Sequence, residues 1–144
     1  MKISLVTVGK TQTRELQDSV QEYAKRISRY THFEIVDTSD EKLSKTLEKQ
    51  DRIFLLDEKG KEYNSVEFSG LIEKQMNAGV KNIAFVVGGP FGFSEDVRAL
   101  AQSRSGASIA LSKMTFPHDL VRVIFLEQLY RAFTILKNEK YHHE

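Results

Sequence analysis

The chain contains no cysteine, so disulfides and thiolate metal sites are excluded, and the compartment this fits most simply is the cytoplasm. It has only two prolines, Pro90 and Pro117, both in the second half, and no low-complexity tract or repeat marks a domain boundary. No apolar run approaches the roughly 20 residues of a membrane-spanning helix. The opening segment Met1 to Gly9 lacks the long apolar core and small-residue cleavage site of a secretory signal, so none is expected. An excess of charge is missing too. Twenty-one Lys and Arg stand against 20 Asp and Glu, for a formal charge of +1, so the global basic footprint of many nucleic-acid binders is absent. A basic site assembled from two subunits would leave no mark on that total.

What is present is one domain, residues 1–144, with 40% hydrophobic and 28% charged residues. Short β-rich runs at Ile3 to Val8, Phe33 to Val36, Ile53 to Leu56, Ile83 to Val87 and Ser108 to Leu111 predict five strands. Helical patterns fall between and after them, at Thr13 to Ser28, Glu41 to Lys49, Ser65 to Asn77, Ser94 to Gln102 and His118 to Lys137. Strict alternation of this kind predicts an α/β fold, a parallel sheet covered by helices on both faces. Ser65 and Ser94 are the expected N-caps of the third and fourth helices.

The last helix is apolar around much of its circumference. Val121, Phe125, Leu126, Leu129, Ala132, Phe133 and Leu136 form one stripe, and Leu120, Val123, Ile124, Tyr130 and Ile135 lie outside it. One sheet face cannot cover all of these, so a second surface is expected, most simply the same helix of another subunit. Arg122 projects into the stripe. A guanidinium there either snorkels from the helix end or meets acceptors for its donors.

Three segments that follow strands carry the candidate chemistry. Gly88-Gly89-Pro90-Phe91-Gly92 lets backbone approach a ligand, yet it is not a dinucleotide fingerprint, because Pro90 removes an N–H. Leu56-Asp57-Glu58-Lys59-Gly60 offers two carboxylates in a turn that ends at Gly60. Ser112 to Pro117 leads into the last helix. In open α/β sheets ligands bind beyond the carboxyl ends of strands, so the convergence of three such loops is a stronger signal than any one of them.

Taken in order, Met1-Lys2-Ile3 to Val8-Gly9-Lys10, Val86-Val87-Gly88-Gly89-Pro90-x-Gly92, Leu111-Ser112-Lys113-Met114-Thr115-Phe116-Pro117-His118, Val121-Arg122-Val123, Glu127-Gln128-Leu129-Tyr130-Arg131-Ala132 and Tyr141-His142 span nearly the whole chain. Together they resemble the ribosomal RNA large subunit methyltransferase H family. The resemblance implies a SPOUT fold, a parallel sheet with helices on both faces and a C-terminal deep trefoil knot, which ordinary topology rules would not suggest. It further implies a homodimer through the C-terminal helix, with S-adenosylmethionine as methyl donor and no metal. The reaction implied is methylation of N3 of a pseudouridine in large-subunit (23S) ribosomal RNA, within the assembled ribosome.

Carried over by position, the cofactor contacts fall on Leu56, Gly88, Leu111, Ser112, Lys113, Met114, Thr115 and Phe116, and the catalytic candidates are His118, Arg122, Tyr141 and His142. A base or a cation near N3 would assist its deprotonation. Two departures from the family are visible. Only Asp37 to Asp51 separates the second and third strands, and the tail reads Tyr-His-His-Glu, so His143 stands where a basic residue is usual. The same fold could act on another RNA such as tRNA, and a compact α/β module could bind a nucleotide without catalysis.

Overall fold

A computed structural model describes residues 1–143. Five strands, β1 (Lys2–Val8), β2 (His32–Thr38), β3 (Arg52–Glu62), β4 (Asn82–Val87) and β5 (Ser108–Ala110), alternate with five helices, α1 (Arg14–Ile27), α2 (Asp40–Leu47), α3 (Ser65–Asn77), α4 (Glu95–Ser103) and α5 (His118–Leu136). The strands form one sheet in the order β2-β1-β4-β3-β5, and every pairing is parallel. This is the expected α/β sheet.

Parallel strands buried on both faces need apolar residues in both directions, and β4 meets that requirement. Ile83, Phe85 and Val87 face one core with α1, α3 and α5 residues, while Ala84 and Val86 face the other with Leu43 and Leu47 of α2 and Val97 and Ala101 of α4. The first core is aromatic at its centre. Phe85 lies 4.8 Å from Phe125 and 5.2 Å from Phe54, and Phe68 meets both Phe85 and Phe125 edge-on at 6.0 Å.

Helix α5 packs against both α1 and α3 as well as the sheet. Phe125, Leu126 and Leu129 are fully buried, so much of the second covering surface expected from another subunit is supplied by the chain's own helices. A strip including Leu120 and Ile124 is left only partly covered.

Two local expectations are corrected. The N-cap of α3 is Asn64, not Ser65: its side chain accepts from the Glu67 N–H while Glu67 accepts from the Asn64 N–H, a reciprocal pair that outcompetes a lone serine hydroxyl. Ser65 instead donates to Gln128 of α5. Ser94 does cap α4, accepting from the Val97 N–H. Strand β3 also does not end before Gly60. Leu56 and Lys61 both stand opposite Ile109, so residues 57–60 bulge out of the ladder and pairing resumes beyond them.

Candidate active site

Because β4, β3 and β5 are neighbours, the bulge of β3 and the segments leaving the carboxyl ends of β4 and β5 meet at one edge of the sheet. They enclose a cavity of about 410 Å³, within the range of small-molecule sites. Its walls include Leu56 from β3, Gly88 after β4, Leu111, Ser112, Met114, Thr115 and Phe116 after β5, and His118 at the start of α5. Seven of the eight positions expected to touch a cofactor are thus brought together. Lys113 is the exception: its side chain points into solvent, 3.8 Å from Glu62, although its backbone lies in the same segment.

The β3 bulge brings charged residues to the same cavity. Asp57, Glu58 and Lys59 line the cavity, and Arg98 reaches it from α4. Arg98 Nη2 lies 2.7 Å from Asp57 Oδ2, and the Lys59 N–H donates to Asp57 Oδ1 at 3.0 Å. Burial works to raise the Asp57 pKa, but these donors outweigh it and hold the carboxyl below the usual range. The cavity therefore contains a fixed anion. Arg98 gave no sequence signal, since an arginine four residues into a helix is normally a solvated side chain.

The third loop is tied to the bulge by the Thr115 hydroxyl donating to Glu58, and is turned within itself by the Met114 N–H donating to Ser112 Oγ at 3.0 Å. The glycine loop is a tight turn: the Gly92 N–H donates to the Gly89 carbonyl, Pro90 and Phe91 occupy the corner, and Gly92 has φ of +72°. A side chain at Gly88 would press on the Phe93 ring at 3.0 Å. Glycine there leaves the backbone open to the cavity without displacing that ring.

Arg122, Tyr141 and His142 do not line this cavity. Arg122 is buried rather than snorkelling. Its Nη2 donates to the Val8 carbonyl and its Nη1 to Thr11 Oγ1, both at 3.1 Å, while buried Nε meets no acceptor among the described residues. Burial lowers its pKa against the opposing influence of Asp119 and Asp37. The guanidinium stays charged, as arginine does in proteins. Asp119, in the same helical turn, accepts from the N–H groups of Gln12 and Thr13. The start of α5 thereby grips the β1–α1 turn.

The tail folds back on α5 further along. Glu127 accepts from Arg131 Nε and Nη2 and from the Tyr141 hydroxyl, and Arg131 Nη1 lies 3.0 Å from His142 Nδ1. Burial, then Glu127, pushes the Tyr141 phenol up to about 12. At about 1.5 Å per residue, Glu127 is roughly 14 Å along the helix from His118. Within one chain, the tail and the cavity are separate.

A second cavity, of about 300 Å³, lies on the other side of the third loop, between Tyr63, Asn64, Ser65 and Phe68 of the β3–α3 region and Ile124 and Gln128 of α5. Leu111 lines both cavities. Among the described residues, no group of three or more His, Asp or Glu is placed to hold a metal ion, and no helix is long and apolar enough to cross a membrane.

Comparison with known proteins identifies the family and the fold. The family described as predicted SPOUT methyltransferase matches residues 1–142. The ribosomal RNA large subunit methyltransferase H of Flavobacterium psychrophilum is 44% identical over 100% of both chains, and that of Christiangramia forsetii is 46% identical over 99% of both. Among solved structures, a ribosomal RNA small subunit methyltransferase E from Neisseria gonorrhoeae, bound to S-adenosyl methionine, superposes with a TM-score of 0.53 at 14% identity, over 94% of this chain and 66% of that longer one. A probable methylase family protein from Haemophilus influenzae gives a TM-score of 0.55 at 10% identity, over 99% of this chain and 70% of the other. At these identities the likeness concerns the fold. The full-length match to close relatives goes further: the chain belongs to the SPOUT methyltransferase family, among the ribosomal RNA large subunit methyltransferase H proteins.

Proposed function

We propose that this chain methylates N3 of a pseudouridine in large-subunit (23S) ribosomal RNA, using S-adenosylmethionine, and that it does so as a homodimer in the cytoplasm, on the assembled ribosome. The observation that carries the reading is the cavity at the bulge of β3 and the carboxyl ends of β4 and β5, lined by Leu56, Gly88, Leu111, Ser112, Met114, Thr115 and Phe116. Its make-up suits the methyl donor. Leu56, Val87, Leu111 and Val121 supply apolar wall, glycine backbone can approach closely, and Asp57 is a held anion for a ligand that carries positive charge. In this reading the C-terminal segment is threaded as a deep trefoil knot, which fixes the third loop against the bulge.

The bound sulfonium supplies an already activated methyl group, so the chemistry calls for no metal. The chain's own residues must place the acceptor nitrogen in line with that methyl, exclude water and take the N3 proton. His118 lines the cavity at the amino end of α5 and is the side chain placed there to accept that proton. Arg122 is a positioning residue, fixing the β1–α1 turn beside the helix start. Tyr141 and His142 enter through assembly: pairing of two chains through α5 would bring the tail of one to the cavity of the other.

Calorimetry with S-adenosylmethionine, followed by nucleoside mass spectrometry on large subunits from cells lacking the protein, tests this reading. Binding of the donor is expected, and a methylated pseudouridine is expected to be missing from those subunits and to appear once the protein and the donor are added. Binding of NAD in place of the donor, or modification of tRNA alone, would overturn it.

A further inference from the structure

We propose that Phe91, backed by Met114, is a stacking platform for a nucleobase of the RNA segment that carries the methyl acceptor, a role that rests on the methyltransferase reading of the same cavity. These are by far the most exposed large apolar side chains among the described residues, at 92% and 73%, and both stand on the lining of the 410 Å³ cavity. They reach it from different loops. Phe91 is on the turn after β4, and Met114 is on the segment after β5.

The exposure of Phe91 is built into the backbone. Pro90 presets the first corner of the turn, the Gly92 N–H closes it onto Gly89, and positive φ at Gly92 sends the chain away, so the ring is held outward. An aromatic side chain has only two side-chain torsions to order, so it loses little freedom when a flat partner covers it. The charges lining the cavity point to the same class of partner. Asp57 and Glu58 offset Lys59 and Arg98, so RNA gains little from phosphate attraction at this mouth. Aromatic stacking is how proteins grip single strands independently of backbone charge. With the donor filling the cavity, an incoming nucleoside and its neighbour must lie across the mouth, where Phe91 and Met114 stand.

The chain has no tryptophan, so Phe91→Trp installs a sole tryptophan at the proposed contact, excited selectively over the tyrosines. With S-adenosylmethionine present, a single-stranded pseudouridine-containing oligoribonucleotide is expected to quench it. Quenching complete with the donor alone would mean that the ring covers the cofactor, and quenching that follows protein concentration would mean that it contacts another copy. Either result, or no quenching at all, overturns the proposal.

In steady-state assays on large subunits, Phe91→Ala is expected to raise the KM for particles about tenfold, the scale of one lost base–aromatic contact, while Phe91→Tyr stays within about twofold of the parent. The salt dependence of KM should be the same for parent and Phe91→Ala, since no phosphate contact is removed. An active parent with an unchanged KM in Phe91→Ala defeats this proposal alone. A parent that transfers no methyl defeats the underlying reading and this one with it.

Discussion

The carboxylate of Asp119, in the first turn of α5, accepts the backbone N–H of Thr13 at 3.0 Å, and the same oxygen accepts that of Gln12 at 2.9 Å, joining segments more than 100 residues apart in sequence. These bonds, that of Thr13 foremost, hold the Asp119 pKa below its ordinary value. A carboxylate lowered in the folded state contributes stability that is complete above its unfolded pKa of about 3.9 and is lost as pH falls through the folded value. Asp119→Ala should therefore lower the melting temperature at neutral pH by a few degrees, the response to about 1 kcal/mol in a domain of this size. Between about pH 5 and pH 2.5 its melting temperature should fall less than the parent's. Equal slopes in thermal melts across that range would refute the assignment.

The Asp57–Arg98 pair makes a different prediction, read in ligand affinity. Asp57→Asn keeps the shape and removes the anion, so the Kd for S-adenosylmethionine should rise about tenfold, equivalent to about 1.4 kcal/mol. Arg98→Ala frees the carboxylate to move and should have a smaller effect of the same sign. Calorimetry near neutral pH, where Asp57 is ionised, measures both.

Two glycines with opposite surroundings test the sheet. A Cβ at Gly106 would lie 1.4 Å from the Ile53 carbonyl oxygen, whereas one at Gly70, in the middle of α3, meets nothing within 4 Å. Gly106→Ala should cost at least about 3 kcal/mol or prevent folding. Gly70→Ala should stabilise by about 0.5–1 kcal/mol, as alanine does for an exposed glycine within a helix. Urea unfolding of the two variants gives the comparison.

The order and type of all ten elements were legible in the sequence because period-2 and period-3.6 patterns report which face of an element is buried. The convergence at Leu56, Gly88 and Leu111 was legible for the same reason, since each stands where an apolar strand run ends. Long-range partners were not. Nothing local tells that Arg98 will reach Asp57, or that β3 will resume its ladder after residues 57–60, since both depend on what the fold brings alongside. Arg122 was an intermediate case: periodicity placed it among apolar neighbours, but its acceptors, Val8 and Thr11, lie more than 100 residues earlier.

Burial separates two substitutions on α5 that the helical pattern alone would treat alike. Leu129 is fully buried inside the chain's own core, so Leu129→Asp should unfold the protein rather than dissociate it. Ile124 is half-buried in the wall of the second cavity. If α5 is the dimer contact, Ile124→Glu should yield a folded monomer with greatly reduced methyl transfer. Light scattering coupled to size exclusion, with circular dichroism as the folding control, distinguishes these outcomes.

Leu111 is a party wall. The residue lines both the cavity with Gly88 and His118 and the cavity with Tyr63 and Ile124. Anything that fills one room and displaces Leu111 reshapes the other, and by thermodynamic reciprocity the second occupant alters the affinity for the first by the same factor.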